Sequence, residues 1–250
     1  MKIAVFSDVH GNLTALDAVL ADIATHRPDI TYFAGDLCLF GARPVETLRR
    51  LASESHVLLV AGNADVDVVE AARERPEPAP DEQLDFKQAS ARWAAERLEP
   101  DDLRYLDSMA FSHRVSPTMN SADDLIVTHA NPTDHYTFIA PPESEQLARL
   151  GQVALPNEPA RIEELLVGVH AGAVAYGHFH FPNTQRVGQT LLVNASSVSN
   201  PMDRDPRAKY ALLEWSPDRS WSAEIVRIPF DRAPEHDALR HGQPPNWQLL

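Results

Sequence analysis

Asp8 and His10 in S-D-V-H, Asp36 in A-G-D-L, Asn63 in A-G-N-A-D, His129 in V-T-H-A, and His178 with His180 in G-H-F-H place seven potential metal ligands at five points of the chain. The set is two carboxylates, four imidazoles and one amide, with no thiolate. Such donors suit borderline divalent cations (Mn, Fe, Co, Ni or Zn), whereas Ca2+ asks for all-oxygen ligation and an iron–sulfur cluster for cysteines. Asp8 and His10 are two residues apart at the end of an apolar run, so both can reach one ion. Taken singly, each residue has a plainer use. Asp8 and Asp36 could cap helices, and a lone histidine is usually a surface or core residue. Together, the seven residues point to metal.

The elements that must position these residues are the runs ahead of them: KIAVF, ITYFA, VLLVA, LIV and AVAY. Each is apolar, of strand length, and followed by a turn signal or a helical pattern, which predicts buried parallel strands of an α/β protein. Ligands of open α/β sheets gather beyond the carboxyl ends of the strands. Residues spread from Asp8 to His180 can therefore converge on one edge. Helices are expected near Asn12–His26, from Pro44 to Leu51, over 65–75, in two pieces over 82–108 split at Pro100, and near 142–150 and 159–167. P-E-P-A-P reads as a stiff connector. The segments AVAY, TQRV, TLLVN, KYALLEW and SAEIVRI predict a second sheet with antiparallel pairs, and the polar tail after Phe230 holds room for a short final helix.

The ordered blocks D-x-H, G-D, G-N-x-D, H and G-H-x-H resemble those of the calcineurin-like metallophosphoesterases. The likeness extends to a bacterial and archaeal phosphodiesterase-like branch through GDLCLFGARP, a helical segment with Ala89, Trp93 and Leu98, and the stretch from Asn194 to Tyr210. The resemblance covers nearly the whole chain. It implies a four-layer αββα sandwich, one domain over 1–250, with a helical cap inserted at about 66–110. It also implies two divalent transition-metal ions, Mn first and Fe, Ni, Co or Zn as alternatives. Asp8, His10 and His180 would hold one ion, Asn63, His129 and His178 the other, and Asp36 would bridge. A shared hydroxide between ions roughly 3.5–4 Å apart would attack phosphorus in line. The two cations outweigh Asp8, Asp36 and that hydroxide by about one positive charge, which favours a phosphodiester monoanion.

One position departs from the family. Its usual general-acid histidine, in G-N-H, is Ala64 here. His135 is the candidate substitute acid, beside Asp36 and Asn63 as catalytic residues. Asn63 and the arginines Arg43, Arg204 and Arg207 are candidate phosphate contacts. The expected function is hydrolysis of phosphodiesters of small or cyclic nucleotides or related esters. The alternatives are a phosphomonoesterase, a dinucleoside polyphosphate hydrolase, or a catalytically silent metal-binding scaffold, which the loss at position 64 would favour.

Composition narrows the partners. The 250 residues carry a formal charge of −14 and 44% apolar side chains. Long nucleic acid needs Lys/Arg surfaces and is not expected as a partner. No apolar run approaches the roughly 20 residues of a membrane helix, so no membrane partner is expected. The chain enters its first strand directly, Cys38 is the only cysteine, and a reducing cytoplasm fits both. A small, nucleotide-like phosphorylated substrate is the expected ligand, and a homo-oligomer is compatible with the sequence.

Overall fold

The first apolar run forms β1 (Lys2–Phe6), in which Ile3 to Phe6 are fully buried. Asn12 then accepts the Ala15 amide at 2.9 Å and starts α1 (Leu13–His26), which buries Leu16, Val19, Leu20 and Ile23 on one stripe. The alternation continues with β2 (Ile30–Ala34), α2 (Pro44–Ala52), β3 (Val57–Val60) and α3 (Asn63–Arg73). Pro44 occupies the first turn of α2, where its missing N–H costs nothing. In this computed structural model residues 1–74 and 84–249 are described, and the P-E-P-A-P connector lies outside them.

Two cap helices follow, α4 (Phe86–Ala95) and α5 (Pro100–Asp107), both packed on α3. The chain then runs through β4 (Ser112–Val115), β5 (Leu125–Thr128), α6 (Glu143–Leu150), α7 (Pro159–Leu165) and β6 (Ala173–Tyr176). The last elements are β7 (Asn183–Val187), β8 (Thr190–Asn194), β9 (Ala208–Ser216), β10 (Ser220–Ile228) and α8 (Ala233–Gly242).

The strands make two five-stranded sheets, in the orders β10-β9-β1-β2-β3 and β4-β5-β6-β8-β7. Side chains alternate across β1 as the strand period requires. Ile3 and Val5 meet Leu125, Val127, Ala173 and Ala175 of the other sheet. Ala4 and Phe6 meet the helices, among them Leu16 and Val19 of α1. On the far side, Ile126, Val174 and Leu192 pack under Ile162 and Leu165 of α7. The layers are thus α, β, β, α.

One expectation needs correction. β9 and β10 do not join the second sheet; β9 pairs antiparallel with β1 and extends the first. β6, β7 and β8 do lie in the second sheet, where β7 and β8 pair antiparallel and β6 runs parallel to both β5 and β8. An apolar run reports that a strand is buried on both faces, not which strand it pairs with. β4 (SHRV) was also not expected. It is a polar edge strand, antiparallel to β5, of a kind with little apolar signal.

Candidate metal centre

All seven predicted ligands converge beyond the carboxyl ends of parallel strands from both sheets. β1, β2 and β3 deliver Asp8 with His10, Asp36, and Asn63 as first residue of α3; β5 and β6 deliver His129, and His178 with His180. His180 Nε2 lies 3.1 Å from both Asp8 Oδ1 and His10 Nε2. His129 Nε2 lies 3.0 Å from Asn63 Oδ1 and 3.1 Å from His178 Nδ1. Asp36 stands between the two groups, with Oδ2 3.7 Å from His10 Nε2 and Oδ1 3.3 Å from His129 Nε2. The described residues therefore hold two His/Asp groups of metal-binding geometry, Asp8–His10–His180 and Asp36–His129–His178.

The second ring nitrogens decide what these groups can hold. His129 Nδ1 donates to the Ala34 carbonyl at 2.8 Å, His178 Nε2 to the Tyr136 carbonyl at 2.8 Å, and His180 Nδ1 to the Asn200 carbonyl at 2.9 Å. A carbonyl can only accept, so each outward nitrogen carries the proton and each inward one, in the neutral ring, a lone pair. Burial holds the pKa of His129 down. Burial and then the His129 ring push His178 down to about 3, and burial with the neighbouring His180 pushes His10 to about 3. Neutral His129 and His178 thus point lone pairs at each other across 3.1 Å. A cation between them removes that repulsion, and carbonyl-oriented imidazoles are the usual support of metal-bound histidine.

The carboxylates fit the same picture. Burial alone would raise Asp8, but the charge and hydrogen bond of His180 outweigh it and hold Asp8 below the usual carboxylate range. His180 responds in kind: burial pulls it down, Asp8 more than compensates, and its pKa is raised. Asp36 is pushed well above the ordinary range by burial and by Asp8. Without a cation the cluster can relieve its negative charge only with protons, which metal binding would release.

The backbone is bent to make the cluster. Asp8, His10, Asp36, His178 and His180 have φ values of 58°, 46°, 65°, 67° and 56°. Each non-glycine residue in this left-handed region costs of the order of 1 kcal/mol or more, a strain that collects at functional sites. Close hydrogen bonding holds it. Val9 N and His10 N both donate to Asp36 O, Asp8 N to Gly35 O, and Gly11 N to Leu37 O. The Asp65 carboxylate accepts from Asp36 N and Leu37 N at 2.8 Å and from Gly62 N at 2.9 Å, tying the β2 and β3 loops together. His178 N donates to Asp8 Oδ2 at 3.0 Å, joining the sheets. Asn194 Nδ2 bonds the Gly177 carbonyl and Ser196 Oγ the His180 carbonyl, each at 2.8 Å.

The other predicted residues are placed differently. Arg43 is bound to Glu235 of α8 and to Thr14. Arg204 reaches the Leu150 carbonyl, and Arg207 forms a two-pronged pair with Asp205 on the surface. None of the three points at the cluster, because each guanidinium has its own acidic or carbonyl partner nearby. His135 donates from Nδ1 to the Ala61 carbonyl at 3.0 Å, and burial, then His129, lowers its pKa. A neutral His135 offers a lone pair at Nε2, so it is furnished as an acceptor rather than as the acid. Ala64 has 0% of its surface exposed and packs in the core under the first sheet, while its amide donates to Asp36 Oδ1.

Several neighbours went unnoticed in the sequence. Phe138 stacks on the His178 ring with centroids 4.2 Å apart. Phe86, at the start of cap helix α4, stacks on Phe40, which in turn lies against His10. Lys87 pairs with Asp67 and lies over Tyr136, whose carbonyl orients His178. Lys209, fully buried, spends its ammonium on Asp203 and on the carbonyls of Asp205 and Arg207, bracing the loop that carries Asn200. Only the D-P-R-A-x-Y pattern hinted at that brace.

Comparison with known proteins agrees with the architecture. The profile of the calcineurin-like phosphoesterase superfamily domain matches residues 1–218. An uncharacterized protein of Methanocaldococcus jannaschii is 24% identical, over 98% of this chain and 94% of its own. The crystal structure of a metallophosphoesterase from Sphaerobacter thermophilus superposes with a TM-score of 0.69 at 23% identity, over 98% of this chain and 95% of that one. That of a protein from Pyrococcus horikoshii superposes with 0.73 at 17% identity, over 98% and 94%. At these identities the solved structures speak for the fold.

Proposed function

The chain belongs to the calcineurin-like phosphoesterase superfamily, and on that premise we propose that it is a phosphodiesterase with a dinuclear metal centre, acting on small nucleotide-like esters in the cytoplasm. The observation that carries this reading is the pair of inward-facing lone pairs on His129 and His178, set beside a carboxylate that reaches both halves of the cluster. Asp8, His10 and His180 would hold one cation, Asn63, His129 and His178 the other, and Asp36 both. The imidazole-rich set favours Mn or a neighbouring transition metal over Ca2+. Bound there, the cations would supply Lewis acidity and lower the pKa of a coordinated water.

The protein's own residues do the positioning. The carbonyls of Ala34, Tyr136 and Asn200 fix three ring orientations. Asp65 holds the Asp36 and Gly62 backbones in register. Neither of the two candidate positions supplies the family histidine's acid: position 64 offers a methyl group, and burial favours the neutral form of His135. A general acid ordinarily contributes about 10²–10⁴-fold. The site is therefore suited to esters whose leaving group is stable as an anion, and a monoanionic diester is easier to draw into a buried site than a dianionic monoester.

The test is a comparison of bis(p-nitrophenyl) phosphate with p-nitrophenyl phosphate under metal-replete conditions. The diester should have the higher kcat/KM. A clear preference for the monoester would contradict the diester assignment.

A further inference from the structure

A cavity of about 190 Å³ opens beside the cluster, with His10 and His180 in its wall. The same wall includes residues at the start of α8, among them Arg232, Glu235 and His236. That end of the helix is pinned in place. Glu235 is buried, and its carboxylate is held by Arg43, which also donates to Thr14 Oγ1 at 2.6 Å. This chain of contacts ties the first turn of α8 to α1 and to the start of α2. It also settles the local charge, since Glu235 and Arg43 form an ion pair with each other.

Arg232 lies one turn before Glu235, at the N-terminal boundary of α8, where its side chain makes no capping bond. It is exposed, and among the described residues no hydrogen bond or ion pair engages its guanidinium. The adjacent Asp231 spends Oδ1 on the Ala233 amide at 3.0 Å. Arg43, Arg204 and Arg207, by contrast, each have an acidic or carbonyl partner. In a chain with 36 acidic residues against 22 basic ones, an arginine without an acidic partner beside a cavity calls for an anion from outside. His236 is exposed on the same wall and carries at least one ring N–H in any tautomer. Whole-ligand pockets run to about 300–1,000 Å³, so this space suits one compact group next to the cluster rather than an entire nucleotide.

From this we infer that Arg232 is a substrate-binding residue, whose guanidinium takes a second phosphoryl group joined directly to the one at the cluster. The planar fork of a guanidinium matches two phosphate oxygens at once. Direct attachment follows from the size of the cavity, which leaves no room for a sugar between His10 and Arg232. The inference rests on the phosphodiesterase reading, which puts the first phosphoryl group beside His10 and His180. It makes the start of α8 a determinant of specificity, with His236 as a further N–H donor. Arg43 then serves to hold α8 in place rather than to touch phosphate. The extra negative charge of the substrate meets a countercharge of its own and is not carried into the buried cluster.

The experiment is isothermal titration calorimetry of Mn-replete protein with AMP and with α,β-methylene-ADP, a diphosphate that resists hydrolysis. Wild type should bind the diphosphate at least about tenfold more tightly than AMP, the value of a hydrogen bond to a charged group. In Arg232→Ala that ratio should shrink towards one. This variant loses no capping bond and no ion pair among the described residues, so its fold should persist. Arg240→Ala removes the same charge from the same helix at a position outside the cavity wall, and its ratio should match wild type. Equal affinity for the two ligands in wild type, a preference that survives Arg232→Ala, or an equal fall in Arg240→Ala would overturn the inference. Hydrolysis of bis(p-nitrophenyl) phosphate by wild type reads the proposed function separately. Turnover without a diphosphate preference would sink the role of Arg232 alone. A preference that depends on Arg232, in a protein without turnover, would sink the phosphodiesterase reading alone.

Discussion

Asp36 offers one oxygen to each half of the cluster, 3.7 Å from His10 Nε2 and 3.3 Å from His129 Nε2. Asp36→Asn leaves the shape and removes the shared charge. The variant should lose most of its bound metal by elemental analysis and essentially all hydrolysis. Asp65 works one step further out. Burial, then Asp36, raises its pKa to about 7, against three backbone N–H groups that favour the charged form. Asp65→Ala strands the amides of Asp36, Leu37 and Gly62, and unmade buried hydrogen bonds of this kind should cost about 3 kcal/mol by denaturant unfolding. Metal affinity should fall about 10–100-fold, the usual effect of losing a residue that orients ligands. The convergence of these seven residues was legible in the sequence because their types and their places after apolar runs are unusual in combination. The carbonyls that fix their tautomers were not, since Ala34, Tyr136 and Asn200 act through the backbone that every residue has. The arginines misled for the opposite reason: a guanidinium advertises anion binding, but Arg43, Arg204 and Arg207 found their partners within the protein.

The loops after β3 and β6 bring backbone against the ligands so closely that only glycine fits. A methyl group added at Gly62 would lie 2.1 Å from Asp36 Oδ1, and one at Gly177 would lie 2.2 Å from Asp8 Oδ2 and from Ser7 Oγ. Gly62→Ala and Gly177→Ala should each displace a ligand by the better part of an ångström. Such misplacements cost about 100-fold in rate, so kcat/KM should fall at least that far while far-UV circular dichroism shows the sheets retained. Retention of full activity in both would mean that the loops yield without moving Asp36 or Asp8. The elements carrying these loops were readable: the starts of α1 and α2 and the split at Pro100 appear where the capping and proline signals put them. Sheet membership was readable only in part. β6, β7 and β8 fall in the second sheet as their pattern suggested, but β9 and β10 extend the first sheet from β1, because pairing depends on contacts between segments far apart in sequence. The left-handed backbone at five of the ligands was equally silent, as nothing about an Asp or His announces a positive φ.

At the scale of the molecule, the cluster joins the two sheets at their carboxyl edges. Asp8, His10, Asp36 and Asn63 come from the first sheet, and His129, His178 and His180 from the second. A cation held by both acts as a staple on the native state. At about a hundredfold above its Kd a bound ligand adds about 2.7 kcal/mol, so chelation should lower the Tm by roughly 5–10 °C in a chain of this size, reversibly on adding Mn back. No helix among the described residues is long and apolar enough to cross a membrane, and the formal charge of −14 sits badly with polyanionic partners. What remains is a chain that concentrates its chemistry at one edge, and the central claim about that edge is the number of ions it holds. The most direct measurement is the metal content of protein stripped with chelator, dialysed against Mn and analysed for bound metal per chain. The account predicts two ions per chain, one in each histidine group. Saturation at one ion, or none retained, would contradict it.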